Sequence, residues 1–496
     1  MENFEKQIAD CPEAFFPAVE FFLQFLPLFC RKSSAPETLA DAESFIKNKG
    51  MELNRLLVQC FLNQKKAEEE KRDRLVGPDG EVRTHRHVDK PRQIETLFGE
   101  VELRRIGYRG PGLDILYPLD AELNLPPGKY SQALRGEVGH LVAGQSFESS
   151  MDGLRRQGGG FVPKRQMQEV AASLVRDFEA FYRQPLPPPE NQSEILVVTA
   201  DGKGIAVHGQ DLRPATRKAA EKAPKPGKRL RPGEKKSRKR MATVVSVYET
   251  EPFHRTPEQL TGEDEAPPDP RPRPENKRTW AGIVPDMAEL VDRGFREALR
   301  RDPDRQKTWV VLIDGQPDLI RAVEKSAAKH KVRVSVVQDF IHVTEYLWKA
   351  AHALHPDDPA KREEWVAERT LQVLRGKARD VAAGLRRSAT RQKLDGDGRK
   401  PVETAAKYLQ NNEKRLRYDE ALAAGFPIAT GVIEGACRHL VKDRMDLTGA
   451  RWRLECAEAV LKLRSLKTSG HLDEYLEFHF QREKERNHPC SYGSKS

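Results

Sequence analysis

Four stretches of the chain are dense in β-branched and other apolar residues: EILVVTAD (194–201), ATVVSVYE (242–249), TWVVLID (308–314) and VRVSVVQD (332–339). They predict strands. Segments 284–300 and 317–329 carry apolar residues at helical spacing instead. Strands alternating with helices predict an α/β sheet, buried on both faces where the runs are continuous. From 342 to 425 the chain reads helical and highly charged, and a last helical stretch runs from about 432 to 468. Upstream, residues 1–75 read helical, and IETLFGEVELRRIGYR (94–109) alternates on both sides of Gly99, a hairpin signal. Segment 131–182 reads as short helices broken at GQS and GGGFVP. That pattern is compatible with a helix-turn-helix, although any small helical bundle shows it too and is the plainer reading. QPLPPPE (184–190) is a stiff linker.

The implied organisation is a helical region at 1–75, a hairpin with helices at 76–190, and a sheet domain at 191–345 and 426–470. A helical insertion at 346–425 interrupts that domain, and 471–496 forms a polar tail, expected to be loose from Arg482 onward.

Two of the strands share a phrase. LVVTADGKG (196–204) and VVLIDGQPD (310–318) each run an apolar stretch into an aspartate followed by glycine. One such aspartate caps a turn or a helix. Two of them, each closing a strand of one sheet, place Asp201 and Asp314 where ligands of open α/β sheets gather. Paired carboxylates repel, and a divalent cation relieves them. Oxygen-only ligation suits Mg²⁺ or Mn²⁺ rather than zinc. Such a site wants a third carboxylate, and PIATGVIEGACRHLVKDRM (427–445) supplies Glu434. It borders the apolar helical stripe Ile433, Ala436, Cys437, Leu440 and Val441, with Arg438 and Lys442 on the same side. A plain Glu434–Arg438 pair on a solvated helix is the other reading of that spacing.

Charge changes the picture further. The chain of 496 residues carries a net charge of +10, and residues 211–240 hold 13 Lys/Arg against 3 Asp/Glu. This Pro-rich excursion between two strands is either a phosphate-binding arm or a solvated loop. Its Arg229, Arg231, Lys235, Lys236, Arg238, Lys239 and Arg240 are candidate DNA contacts. Arg438, Lys442, Arg444 and Arg451 are weaker ones, and Trp452 reads equally as core. The six cysteines show no CxxC spacing, which fits a reducing, cytosolic setting rather than a disulfide framework or zinc knuckle. The apolar stretch 14–30 is interrupted by Glu20, Gln24, Pro17 and Pro27 and is short for a membrane span, so no membrane partner is expected.

The phrase TGVIEGACRHLVKDRMDLTGARW (430–452) resembles the signature of ISKra-type insertion-sequence transposases, bacterial DDE enzymes related to the Mutator-like group. VVTADGKGI, LIDGQPD, QDFIHVTEYLW and LFGEVELRRIGYR resemble further parts of that family, so the likeness covers nearly the whole chain. It implies a ribonuclease-H-like mixed sheet with a helical insertion, preceded by a mostly helical DNA-binding region. It implies Asp201, Asp314 and Glu434 as metal-binding catalytic triad for two Mg²⁺ (or Mn²⁺) ions. Asp339 and His342 resemble the family's (Cys/Asp)-x-x-His element, expected just outside the metals, although a helix cap explains the same pair. The implied partners are double-stranded DNA, as transposon ends and target, and further copies of the chain on that DNA. The implied setting is the bacterial cytoplasm, at the nucleoid. A ribonuclease-H-fold nuclease, or a domesticated DNA-binding protein without transposition, is the alternative.

Overall fold

The computed structural model describes residues 12–30, 36–184, 193–222, 239–262, 270–447 and 449–489. The chain divides into two compact units, Met1–Tyr182 with His471–Ser496, and Arg183–Gly470.

In the first unit, helix α1 (Phe16–Cys30) is followed by α2 (Leu39–Ala67), whose Thr38 and Asp41 form a capping box. The hairpin is longer than its sequence signal: β1 (His85–Thr96) pairs antiparallel with β2 (Gly99–Arg109). Three helices follow, α3 (Gln132–Gly144), α4 (Phe147–Gln157) and α5 (Lys164–Leu174). The GGG of 158–160 closes onto the hairpin turn. A Cβ on Gly158 or Gly160 would meet the carbonyl oxygens of Leu97 or Thr96 at 2.3 and 2.4 Å. Among the described residues, no helix is long and apolar enough to cross a membrane.

The second unit is built on a five-stranded mixed sheet: β3 (Ile195–Ala206), β4 (Lys239–Thr250), β5 (Glu275–Gly282), β6 (Thr308–Ile313) and β7 (Ser335–Gln338), in the order β5-β4-β3-β6-β7. β3 is parallel to β6, and β6 to β7, while β4 runs against both β3 and β5. β5 was not legible as a strand, because its first half, ENKR, is charged and its N-terminal three residues are exposed. Helix α6 (Met287–Arg301) lies on one face, and at Gly294 an added Cβ would stand 2.9 Å from Val245. Helix α7 (Pro317–His330) follows β6. Five more helices come next: α8 (Phe340–Leu354), α9 (Pro359–Leu374), α10 (Ala378–Arg391), α11 (Gly396–Asn411) and α12 (Tyr418–Ala423). They share one continuous apolar core with Ile195, Val197, Val310, Leu312 and Val337 of the sheet. The expected insertion is therefore a layer on the sheet rather than a separately cored body.

An exposed sheet edge invites unwanted pairing. Here helix α13 (Gly431–Ala436) leads through a π-helical turn, Cys437–Lys442, towards α14 (Leu454–Thr468), which covers the β5 edge. The N–H groups of Thr279, Ala281 and Ile283 donate to Ser469 Oγ, Ser465 Oγ and Glu458 Oε2 at 3.0, 3.1 and 2.8 Å.

The expectation of a loose polar tail is corrected. Helix α15 (Leu472–Asn487) belongs to the first unit and buries Leu472, Tyr475, Leu476 and His479. His479 Nδ1 and Arg486 both hold Asp177, at 2.7 Å each. Those four inward residues lie at i, i+3, i+4 and i+7, a helical stripe masked by the charges around it.

Candidate metal-dependent site

The site grows from the sheet register. β3 and β6 pair in parallel from Ile195↔Thr308 to Thr199↔Leu312, and the same register brings position 201 level with 314. Asp201 is thus not the end of its strand, as the sequence suggested. β3 runs on to Ala206, held extended by antiparallel pairing to β4, and Asp201 sits where β6 has left its side. Asp314 turns away from β6 through Gly315, whose φ of 86° favours glycine. A Cβ there would also lie 2.3 Å from the Gln338 side chain. Asp314 Oδ1 accepts from Gln316 N at 3.0 Å.

The next strand contributes Asp339, fully buried directly after β7. Its Oδ2 accepts from His342 N at 3.1 Å and pairs with His342 Nδ1 at 2.7 Å, and its Oδ1 accepts from Thr430 N at 2.8 Å. Asp339 is therefore the N-cap of α8 and the anchor of His342 at once, so the two sequence readings coexist. Thr430 carries the link on: its hydroxyl donates to Glu434 Oε1 at 3.1 Å. Three residues later Cys437 Sγ donates to Asp201 Oδ2 at 3.2 Å. The apolar stripe Ile433, Ala436, Cys437, Leu440 and Val441 is buried, which leaves Glu434 exposed at the sheet's end.

The electrostatics follow from this crowding. Burial, then the charge of Asp201, pushes the Asp314 carboxyl above its usual range. Burial also pushes Asp339 up, but hydrogen bonds from His342 and from the N–H groups of Thr430 and His342 outweigh it, and the net direction is down. The bond to Asp339 raises His342 to about 9, so its ring is a cation at neutral pH. Burial, then Asp201, raises the Cys437 thiol, which stays protonated and donating.

Ligand atoms of Asp339, His342 and Glu434 all lie within 4.8 Å of one another. Among the described residues the expected trio Asp201, Asp314 and Glu434 does not close to that distance. The donors are carboxylate oxygens, which fit a hard divalent cation. A cationic His342 does not ligate metal, and its charge suits a phosphate.

Of the expected DNA contacts, Arg229, Arg231, Lys235, Lys236 and Arg238 lie outside the described residues. Lys239 is exposed and pairs with Asp446 at 3.3 Å, and half-buried Arg240 donates to the Asp211 carbonyl at 3.4 Å. Arg438, Lys442 and Arg451 are exposed. Arg444 is corrected: it is 3 % exposed, with its guanidinium 4.8 Å from the centre of the Trp452 ring, and so is not presented to a phosphate. Trp452 is core, its indole N–H donating to the Met445 carbonyl at 3.0 Å.

Three residues of the site were missed in the sequence. Thr430 and Cys437 flank Glu434 at −4 and +3, one turn to either side, which was the available signal. Tyr408 of α11 carried none: its hydroxyl donates to the Asp314 carbonyl at 3.3 Å across 94 residues of sequence.

No known family model matches the chain. It is distantly similar to a UPF0236 protein in the vanSb 3′ region of Streptococcus gallolyticus, 28% identical over 120 residues, which is 24% of this chain and 26% of that relative.

Proposed function

We propose that the chain is a DDE-type DNA transposase, which cuts the ends of an insertion sequence and joins them to target DNA by in-line phosphoryl transfer. One observation carries the reading: Asp314, half-buried, its carboxyl pushed up by that burial and then by the charge of Asp201, follows directly on the carboxyl end of the parallel strand β6. Glu434 and the Asp339–His342 pair are linked to that end through Thr430. The strand order, with β4 alone running against its neighbours, supports a ribonuclease-H-like catalytic fold. The distant likeness to a UPF0236 protein in the vanSb 3′ region supports an association with mobile elements.

In this reading Asp201, Asp314 and Glu434 would hold divalent cations. Mg²⁺ held there would supply activation of water or a 3′-hydroxyl and charge stabilisation of the leaving oxygen. The protein's own groups then position. Cys437 holds one oxygen of Asp201, and Thr430 holds one of Glu434. Tyr408 steadies the backbone at Asp314. His342, held by Asp339, offers positive charge to a phosphate oxygen. Phosphoryl transfer needs chiefly this positioning and charge neutralisation, with no covalent link between protein and DNA. The basic segment 211–240 is assigned to sequence-independent phosphate binding, and copies of the chain are expected to assemble on paired ends.

The test uses DNA that flanks the gene on both sides, incubated with the full chain, Mg²⁺ and a target plasmid. The expected products are 3′-ends joined to the plasmid, absent with Asp314→Asn or Glu434→Gln. Cleavage without joining would instead favour the ribonuclease-H-fold nuclease. DNA binding with neither would favour a domesticated binding protein.

A further inference from the structure

Beside Asp314 and His342 the second unit opens a cleft of about 600 Å³ between α7, α8 and α11. Its floor is aromatic. Tyr346 and Tyr408 stack with ring centroids 4.0 Å apart and planes at 24°. The Tyr408 ring is held in place, since its hydroxyl bonds both Gln338 and the Asp314 carbonyl. The amides of Gln316 and Asn411 stand exposed at its mouth, and Arg321 and Arg415 give it positive charge. Arg321 pairs with Asp318 on the surface, and Arg415 with Glu324 at 3.2 Å; both partners are exposed and are readily exchanged for a phosphate.

Size and chemistry choose the occupant. The volume lies within the range of small-ligand sites, ~300–1,000 Å³. An aromatic platform, hydrogen-bonding amides and guanidinium groups together suit a single nucleobase with its phosphate. A wall shared with Asp314 puts that base next to the bond to be cut. We infer that this cleft receives one unpaired nucleotide of the DNA strand, its base packed against the Tyr346–Tyr408 pair and its phosphate towards Arg321 and Arg415. The inference rests on the reading of Asp201, Asp314 and Glu434 as a phosphoryl-transfer site. A strand that leaves one base in the cleft is locally unpaired at the scissile bond, which selects distorted or opened duplex ends over continuous DNA.

The test is a titration of the full chain, in chelator, with a short single strand carrying one central 2-aminopurine, read by quenching of that base. Plasmid nicking in Mg²⁺ is measured in parallel. Saturable quenching is expected with wild type, and affinity at least about fivefold weaker with Tyr346→Ala, the low end of a lost base–aromatic stack. Tyr346→Phe should retain it. Should Tyr346→Ala lose its folded circular dichroism, Arg321→Glu decides: this exposed position tolerates the change, and the reversed charge should weaken binding. Equal affinity for wild type, Tyr346→Ala and Arg321→Glu, with nicking intact, would overturn the nucleotide cleft and leave the enzyme standing. Selective loss of quenching in the variants, with no nicking by wild type, would uphold the cleft and overturn the enzyme.

Discussion

Asp201 of β3 and Asp314, the residue directly after β6, each lie two residues past the last paired positions of those parallel strands, Thr199 and Leu312. A cation or a proton relieves two carboxylates so placed. The folded-state pKa of Asp314 lies above its unfolded value, so metal-free protein gains stability as pH falls through that value. In its ionised form the half-buried Asp314 costs stability. Two outcomes follow in differential scanning calorimetry: Mg²⁺ or Mn²⁺ raises Tm of wild type, and Asp314→Asn raises Tm of metal-free protein while abolishing the metal response. A Tm that ignores both changes would mean that the carboxylates do not share a cation.

The Asp339–His342 pair sets a pH window. His342 titrates at about 9 in the folded chain against ~6.5 unfolded, so its contribution is complete below ~6.5 and lost as pH rises through about 9. Asp339 is shifted down, so its contribution is complete above ~3.9 and lost as pH falls through its depressed value. The pair is strongest between those limits. NMR titration of the His342 ring in chelator-treated protein should show the high midpoint, and Asp339→Asn should return it towards ~6.5. A wild-type midpoint near 6.5 would contradict the geometry.

Cys437 is expected to act through Asp201. Cys437→Ala removes the donor and should lower Mg²⁺-dependent cleavage about tenfold, the size of one hydrogen bond of about 1.4 kcal/mol. Cys437→Ser keeps a donor and should retain most activity. If the alanine variant cleaves as well as wild type, the thiol is only a packed member of the α13 stripe.

Much of this site was legible because strand ends are written locally. A run such as LVVTAD or VVLID announces a buried strand, VVLID its exit as well, and Glu434 shows itself against an apolar stripe of period 3.6. What stayed hidden depends on long-range packing. Tyr408 reaches Asp314 from a helix that pattern alone could only call charged and helical. The extension of β3 past Asp201 depends on β4, whose paired residues, Lys239 to Thr243, lie far along the chain. Strand β5 and helix α15 hid behind their charges. Ser465, Ser469 and Glu458 satisfy the edge of one, and Asp177 neutralises Arg486 on the other.

At the opposite end of the sheet a buried charge cluster supports the fold. Glu297, 5 % exposed, binds Arg278 at 3.0 Å, Arg300 at 3.0 Å and Arg301 at 2.8 Å. Burial alone would raise its carboxyl, but the guanidinium groups outweigh that and hold it down. Glu297→Ala would leave three cations facing one another and should destabilise the chain by about 3–5 kcal/mol in urea unfolding. A loss under about 1 kcal/mol would show that water replaces the carboxylate there.

The central claim is that carboxylates from distant parts of the chain hold divalent metal in one place. Iron-directed cleavage of the polypeptide tests it most directly: Fe²⁺ replaces Mg²⁺, ascorbate and peroxide generate hydroxyl radicals at the bound metal, and the fragments are sequenced. The expected cuts fall around Asp201, Asp314 and Glu434, with a weaker one near Asp339, all suppressed by excess Mg²⁺ and lost in Asp314→Asn. Cuts confined to other segments, or an unchanged pattern in Asp314→Asn, would contradict the account.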